Sequence, residues 1–183
     1  TKEIILSWSE AYQVCPFEFS LDLSLWADVI ICDYNYAFDP TASLKRFFQE
    51  EKRDYVLLVD EAHNLVDRAR DMFSAQISKR SFMEFHKKLK AESGQDQFQS
   101  LKRSLKRINQ DFLALQKRFD GADYGMEEEP DEKLYYDCTL FTQACEEYLL
   151  ENGATAGQET MELYFNVLFF LRIWDVYGDG YLC

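Results

Sequence analysis

No Gly-x4-Gly-Lys-Ser/Thr stretch occurs in the 183 residues, so a phosphate-cradling loop of that kind is missing from this chain. A membrane span is missing too. The most apolar stretch, Met161 to Tyr177, is broken by Glu162, Asn166, Arg172 and Asp175 and is too short and too polar to cross a bilayer. No charged segment followed by an apolar one opens the chain as a leader would. The five cysteines are odd in number and scattered. Cys138 and Cys145 lie seven residues apart on one predicted helix, too far to bridge, which favours a reducing compartment and a cytoplasmic location. Histidine is scarce, with only His63 and His86, and no internal repeat is found.

What is present is enough to fold: 47% hydrophobic and 16% aromatic residues suffice for one sizeable core or two small ones. The net charge of -13 speaks at first against a nucleic-acid partner. Its distribution reverses that reading. Between Lys79 and Arg118 there are eleven basic residues against four acids, a local balance of +7, which leaves -20 for the remainder.

The most informative run is Val56-Leu57-Leu58-Val59-Asp60-Glu61-Ala62-His63. Tyr55 to Val59 is apolar and β-branched, suited to a strand buried on both faces, and Ala62 to Arg70 reads as helix. Ligands of open α/β sheets sit at such a strand-to-helix switch. In the ATP-hydrolysing version of this arrangement, Asp60 holds Mg2+ through its water shell, and Glu61 orients or deprotonates the attacking water. His63 couples the nucleotide to the rest of the motor. The plainer alternative is an acidic strand end leading into a helix N-terminus, where the dipole favours carboxylates.

Upstream, Asp28 to Asp33 is strand-like, Pro40 breaks the following turn, and Thr41 to Glu51 has amphipathic helical spacing, so residues 28–59 form one expected βαβ unit. Downstream the pattern turns helical. Phe82, Phe85 and Leu89 share a face of a helix that Ser93-Gly94 ends. Phe98, Leu101, Leu105, Ile108, Phe112, Leu115 and Phe119 form a heptad seam on one helix of about 24 residues, with Lys102, Arg103, Lys106 and Arg107 off the seam. Asp120 to Asp131 reads as a solvated acidic loop. Glu132 to Glu151 and Gln158 to Tyr177 are further helices, the last apolar nearly all round and expected at the centre of the core.

Cys15-Pro16-Phe17, then Ala27-Asp28-Val29-Ile30-Ile31-Cys32-Asp33-Tyr34-Asn35-Tyr36-Ala37-Phe38-Asp39-Pro40, then Asp-Glu-Ala-His follow in an order that resembles the iron-sulfur superfamily 2 helicases of the XPD and DinG family. The resemblance covers about residues 15–65. It implies a mainly α fold: a helical arch domain attached to a partial βαβ unit of a RecA-like motor domain. Residues 1–26 would end the iron-sulfur region, 27–74 would belong to the motor domain, 75–177 would be the arch, and 178–183 would return towards the motor. Cys15 would be the last of four [4Fe-4S] ligands, the other three lying before Thr1; one cysteine cannot hold a cluster that needs four thiolates. Asp60 and Glu61 would be the Walker B carboxylates.

With the phosphate loop absent and no second motor half after Cys183, the chain is expected to be an internal piece of an ATP-dependent DNA helicase. ATP, Mg2+ and the cluster would belong to the parent protein, and none is expected in the isolated piece. The arch would help frame a pore for single-stranded DNA, with Lys102, Arg103, Lys106 and Arg107 on phosphates and Tyr34 and Asn35 nearby, Tyr34 offering a stacking face. Protein partners at the arch and no membrane contact complete this picture. Two other readings stay open at this point. The basic residues can be a solvated helix face on a protein-docking module that never touches DNA. A stand-alone metal hydrolase using Asp60, Glu61 and His63 has only distant His86 as a further imidazole. Cys32, Cys138 and Cys145 read as packing residues.

Overall fold

The computed structural model describes residues 1–44, 47–48, 54–92, 98–120, 122 and 124–183. Its regular structure among these residues is helical, and the chain falls into two compact units: Thr1–Phe38 with Ala42–Tyr55, and Asp39–Thr41 with Val56–Cys183.

In the first unit, α1 (Lys2–Tyr12) packs on α2 (Pro16–Ser24), and α3 (Asn35–Phe38) is a single turn. The α1–α2 corner follows from its residues. Gln13 takes a left-handed conformation (φ 53°), and its N–H and that of Val14 bond back to the carbonyls of Glu10 and Ser9. Pro16 then opens α2 at a position where no N–H is needed. Trp8 lies over Phe19 with ring planes 16° apart.

The expected βαβ unit is not formed. Asp28–Asp33 and Tyr55–Val59 carry no strand assignment, Thr41–Leu44 is not helical, and Lys45, Arg46 and Gln49–Glu51 lie outside the described residues. Ile31 is 95% exposed, Val56 87% and Leu58 93%. The physical reason is that a parallel strand exists only beside neighbours, and two strands cannot cover both faces and both edges of a sheet.

The second unit is a helical bundle. After a 3-10 turn at Ala62–Asn64 come α4 (Leu65–Met72), α5 (Lys79–Glu92), α6 (Gln99–Arg118), α7 (Glu132–Asn152), a second 3-10 turn at Gly153–Ala156, and α8 (Gln158–Asp175). The core is the one the periodicity marks: Phe82, Phe85 and Leu89 of α5, Leu101, Leu105 and Ile108 of α6, and Cys138, Phe141 and Cys145 of α7. Phe82 meets Phe141 edge-on with centroids 5.3 Å apart, and Phe98 meets Tyr148 at 5.0 Å. Each such side chain contributes roughly 1.5–3 kcal/mol of burial before entropy is subtracted.

Three details depart from the sequence reading. Phe98 and Phe119 are not inside α6 but flank it, and Phe98 is left-handed at φ 54°. The Phe119 ring lies against Gly125, where a β-carbon would come within 2.1 Å of the ring, so this loop position needs glycine. The middle place belongs to α7, which packs on α6 and on α8, while α8 leaves Phe165 exposed. The Asp120–Asp131 loop is also not simply solvated. The Arg118 guanidinium bonds Glu127 at 2.8 and 3.0 Å and Asp131 at 2.5 Å, and Asp131 caps α7 by accepting the Leu134 N–H at 3.0 Å. Glu127 and Cys183 exchange two backbone hydrogen bonds of 2.8 and 3.2 Å. An open cleft of about 890 Å3 lies between α4 with its following segment (Phe73 to Ile77) and the end of α8 with its tail (Trp174, Tyr177, Tyr181).

Phe141→Ala should lower stability by about 3–5 kcal/mol, because its fully buried ring is gripped by Phe82 and Phe85. Leu150→Ala, on the exposed end of α7, should change it by less than about 0.5 kcal/mol. Urea titration followed by helical circular dichroism measures both.

Candidate functional site

The Asp60–His63 segment is short of restraints and open to solvent. Val56 to Val59 run extended into Asp60, and the 3-10 turn at Ala62–Asn64 leads into α4. Asp60 Oδ1 accepts the Glu61 N–H at 2.9 Å. Glu61 itself sits at φ 51°, ψ 35°, a left-handed conformation uncommon outside glycine, asparagine and aspartate. That bend turns its carboxylate towards the His63 ring, with Nδ1 3.3 Å from Oε2. Both side chains are about 70% exposed. The structure therefore brings together Glu61 with His63, and Asp60 with the Glu61 backbone. Among the described residues, no group of three or more histidine, cysteine or acidic side chains converges as a metal site. Two adjacent carboxylates can bind a hydrated divalent ion only through waters shared with a phosphate, as Mg2+ prefers.

Cys15 is an exposed thiol at the N-cap of α2, immediately before Pro16. An accessible thiol fits one ligand position of a cluster and no more. The other cysteines divide cleanly. Cys138 and Cys145 are buried packing residues, as their helical spacing suggested, and burial foremost, then the neighbouring Asp137 and Glu146 carboxylates, pushes each thiol up to about 12. Cys32 is exposed, contrary to the packing role expected of it, because the extended segment that carries it has no sheet around it.

The proposed nucleic-acid residues do not form one set. Tyr34 and Asn35 are half-buried in the first unit, where the Asn35 N–H bonds Asp33 Oδ1 at 2.9 Å. On α6, Arg103 and Lys106 are exposed, whereas Lys102 is only 9% exposed. Arg107 is committed elsewhere. Its Nη2 lies 2.7 Å from Asp137 Oδ1, off the line of an N–H, so the contact is an ion pair rather than an aligned hydrogen bond, and its guanidinium stands 5.5 Å from the Tyr136 ring centre. Asp137 is fully buried, and so nearly is Asp111. Lys133 reaches both, and Asp111 Oδ2 keeps no partner. Sequence reasoning missed His86 and Lys90, which lie one helical turn apart on α5 on the side that faces Lys102 and Lys106. The signal was available in their spacing of four.

Residues 1–82 match the DEAD_2 family. A stretch of 76 residues, 42% of this chain, is 30% identical to the Fanconi anemia group J protein homolog of Gallus gallus, of which it covers 6%. A stretch of 68 residues, 37% of the chain, is 32% identical to the Regulator of telomere elongation helicase 1 homolog of Caenorhabditis briggsae, of which it covers 7%. No solved structure matches. Over its matched first part the chain belongs to the iron-sulfur superfamily 2 helicases of the XPD and DinG type. It spans less than a tenth of the length of these curated relatives. No described helix is long and apolar enough to cross a membrane.

Two outcomes test this geometry. A thiol reagent at neutral pH should label Cys15, Cys32 and Cys183 promptly and Cys138 and Cys145 only after unfolding, since the thiolate is the reactive form. Arg107→Ala should destabilise the bundle by about 2 kcal/mol, below the range for fully enclosed pairs because its side chain is 44% exposed, by leaving Asp137 short of a partner. Arg103→Ala should cost less than about 0.5 kcal/mol in the same denaturation experiment.

Proposed function

We propose that this chain is an internal segment of an ATP-dependent DNA helicase that moves along single-stranded DNA, with residues 75–177 as its arch domain. The observation that carries the reading is the order Cys15-Pro16, Tyr34-Asn35-Tyr36, Asp60-Glu61-Ala62-His63 within the stretch that matches the family. The exposed apolar runs at Val29–Ile31 and Val56–Leu58 support it, since they are surfaces a motor sheet would bury. In the parent protein, bound ATP with Mg2+ supplies the phosphoanhydride whose cleavage drives movement. Asp60 would hold the hydrated ion, and Glu61 would take a proton from the attacking water at its carboxylate oxygen. His63, beside Glu61, would sense that carboxylate and pass its state on. Cys15 would provide one of the four thiolates of a [4Fe-4S] cluster. The basic arch residues would hold the strand's phosphates.

A helical docking module is the second reading. Its favouring observation is the apolar patch of Leu150, Met161 and Phe165 on α7 and α8.

Glu61→Gln in the full-length protein should abolish ATP hydrolysis and leave nucleotide binding within about threefold, because it removes the proton acceptor and no phosphate contact. Steady-state turnover and equilibrium binding of a fluorescent nucleotide measure the two separately. Wild-type turnover in the variant would sink the assignment.

A further inference from the structure

Where α5 packs on α6, four nitrogen-bearing side chains converge on one seam. His86 and Lys90 come from α5, one turn apart; Lys102 and Lys106 come from α6, also one turn apart. The two helices are consecutive in the chain and joined by a short connection. Their packing sets His86 beside Lys106 and Lys90 beside Lys102.

The seam has three properties that a purely structural contact would avoid. His86 is half-buried, yet its Nε2 has no hydrogen-bond partner. An unpaired nitrogen at that depth forfeits about 1–3 kcal/mol relative to a bonded one. Like charges are gathered rather than alternated: Lys90 of α5 and Lys106 and Lys102 of α6 are the described charged groups that act on the ring, and all are cations. Lys102 is almost enclosed and has interactions of its own within the fold, so its field reaches the seam from beneath while Lys90 and Lys106 stand exposed at the rim.

We propose that this seam is a seat for a single phosphate group, that its ligand is the phosphodiester backbone of single-stranded nucleic acid, and that His86 Nε2 closes on it as a charge-assisted donor. This rests on the nucleic-acid reading above and adds to it two residues and a proton. Empty, the seat keeps the ring neutral: burial first, then the Lys90, Lys106 and Lys102 ammonium groups, hold its pKa below the ordinary histidine value. A phosphate between those groups reverses the balance, because its negative charge favours the protonated ring and accepts the Nε2 hydrogen. Binding then takes up one proton, and affinity rises as pH falls through the range of the bound ring. The seat gives no base specificity, since it reads only the backbone.

The test uses the 183-residue chain, a fluorescein-labelled oligothymidylate and, separately, inorganic tripolyphosphate. Anisotropy at fixed ionic strength should show affinity for the oligonucleotide rising about threefold to tenfold from about pH 7.5 to about pH 6, the span that a one-unit rise in a single pKa allows. His86→Asn should match wild type at the higher pH and lose that rise. Lys90→Ala should weaken binding at both. In parallel, proton NMR of the imidazoles, with His63→Gln to leave one ring, should show the His86 titration moving upward when oligonucleotide is added. If the oligonucleotide binds while the His86 titration stays put and His86→Asn keeps the pH dependence, the seat is wrong and the nucleic-acid reading survives. If only tripolyphosphate moves the titration, the seat stands as a phosphate site and its assignment to nucleic acid is overturned. If neither ligand moves it, the seat and the assignment both fail.

Discussion

The helical unit depends on the fit of α6 to α7. Leu101, Leu105 and Ile108 are fully buried against a row that includes Cys138, Phe141 and Cys145, and the same interface encloses Asp111 and Asp137. Apolar side chains alone would tolerate sliding by a turn, because heptad seams repeat. Two buried carboxylates do not tolerate it, since each must meet Lys133 or Arg107. The seam supplies the attraction and the ions fix the register. Everything attached to these helices, from the loop clasped by Arg118 to the cations along α5, is positioned by that one choice.

The same interface explains what could and could not be read from the chain. The core face of α6 was legible because heptad spacing depends only on local sequence, and Phe82, Phe85 and Leu89 were legible for the same reason. The fate of the four cations on α6 was not. Asp137 is thirty positions beyond Arg107, and nothing local announces that it captures one guanidinium. The burial of Lys102 likewise depends on what packs around α6. Composition misled about α8, whose all-round apolarity suggested the centre, while the less amphipathic α7 occupies it. Apolar content says that a surface prefers cover, not that this chain provides it.

The strand readings show the complementary limit. Val29–Ile31 and Val56–Leu58 have the composition of buried parallel strands, yet they lie open. Strand propensity measures fit to a half-buried pleated surface rather than an intrinsic backbone preference, so without neighbours there is nothing to realise it. The Asp-Glu-Ala-His motif was legible as a motif, but its working geometry was not, because Glu61 sits in a left-handed bend at the end of an unpaired segment. By this argument the conformation of the carboxylates belongs to the sheet as much as to the residues that bear them.

The cleft of about 890 Å3 between the Phe73–Ile77 segment and the tail after α8 places the way into the bundle and the way out of it at one end. Arg118 and the paired Glu127 and Cys183 backbones tie the outgoing tail to the body of the bundle there. Mechanically, a body held by two neighbouring points at its foot is a cantilever. Pushing on its far end produces torque at the foot rather than stretching the helices, and pulling the two points apart opens the foot one contact at a time instead of shearing the seam all at once. Stiffness then resides in the α6–α7 interface and compliance in the foot, so such a body can tilt as a unit under load without its core yielding.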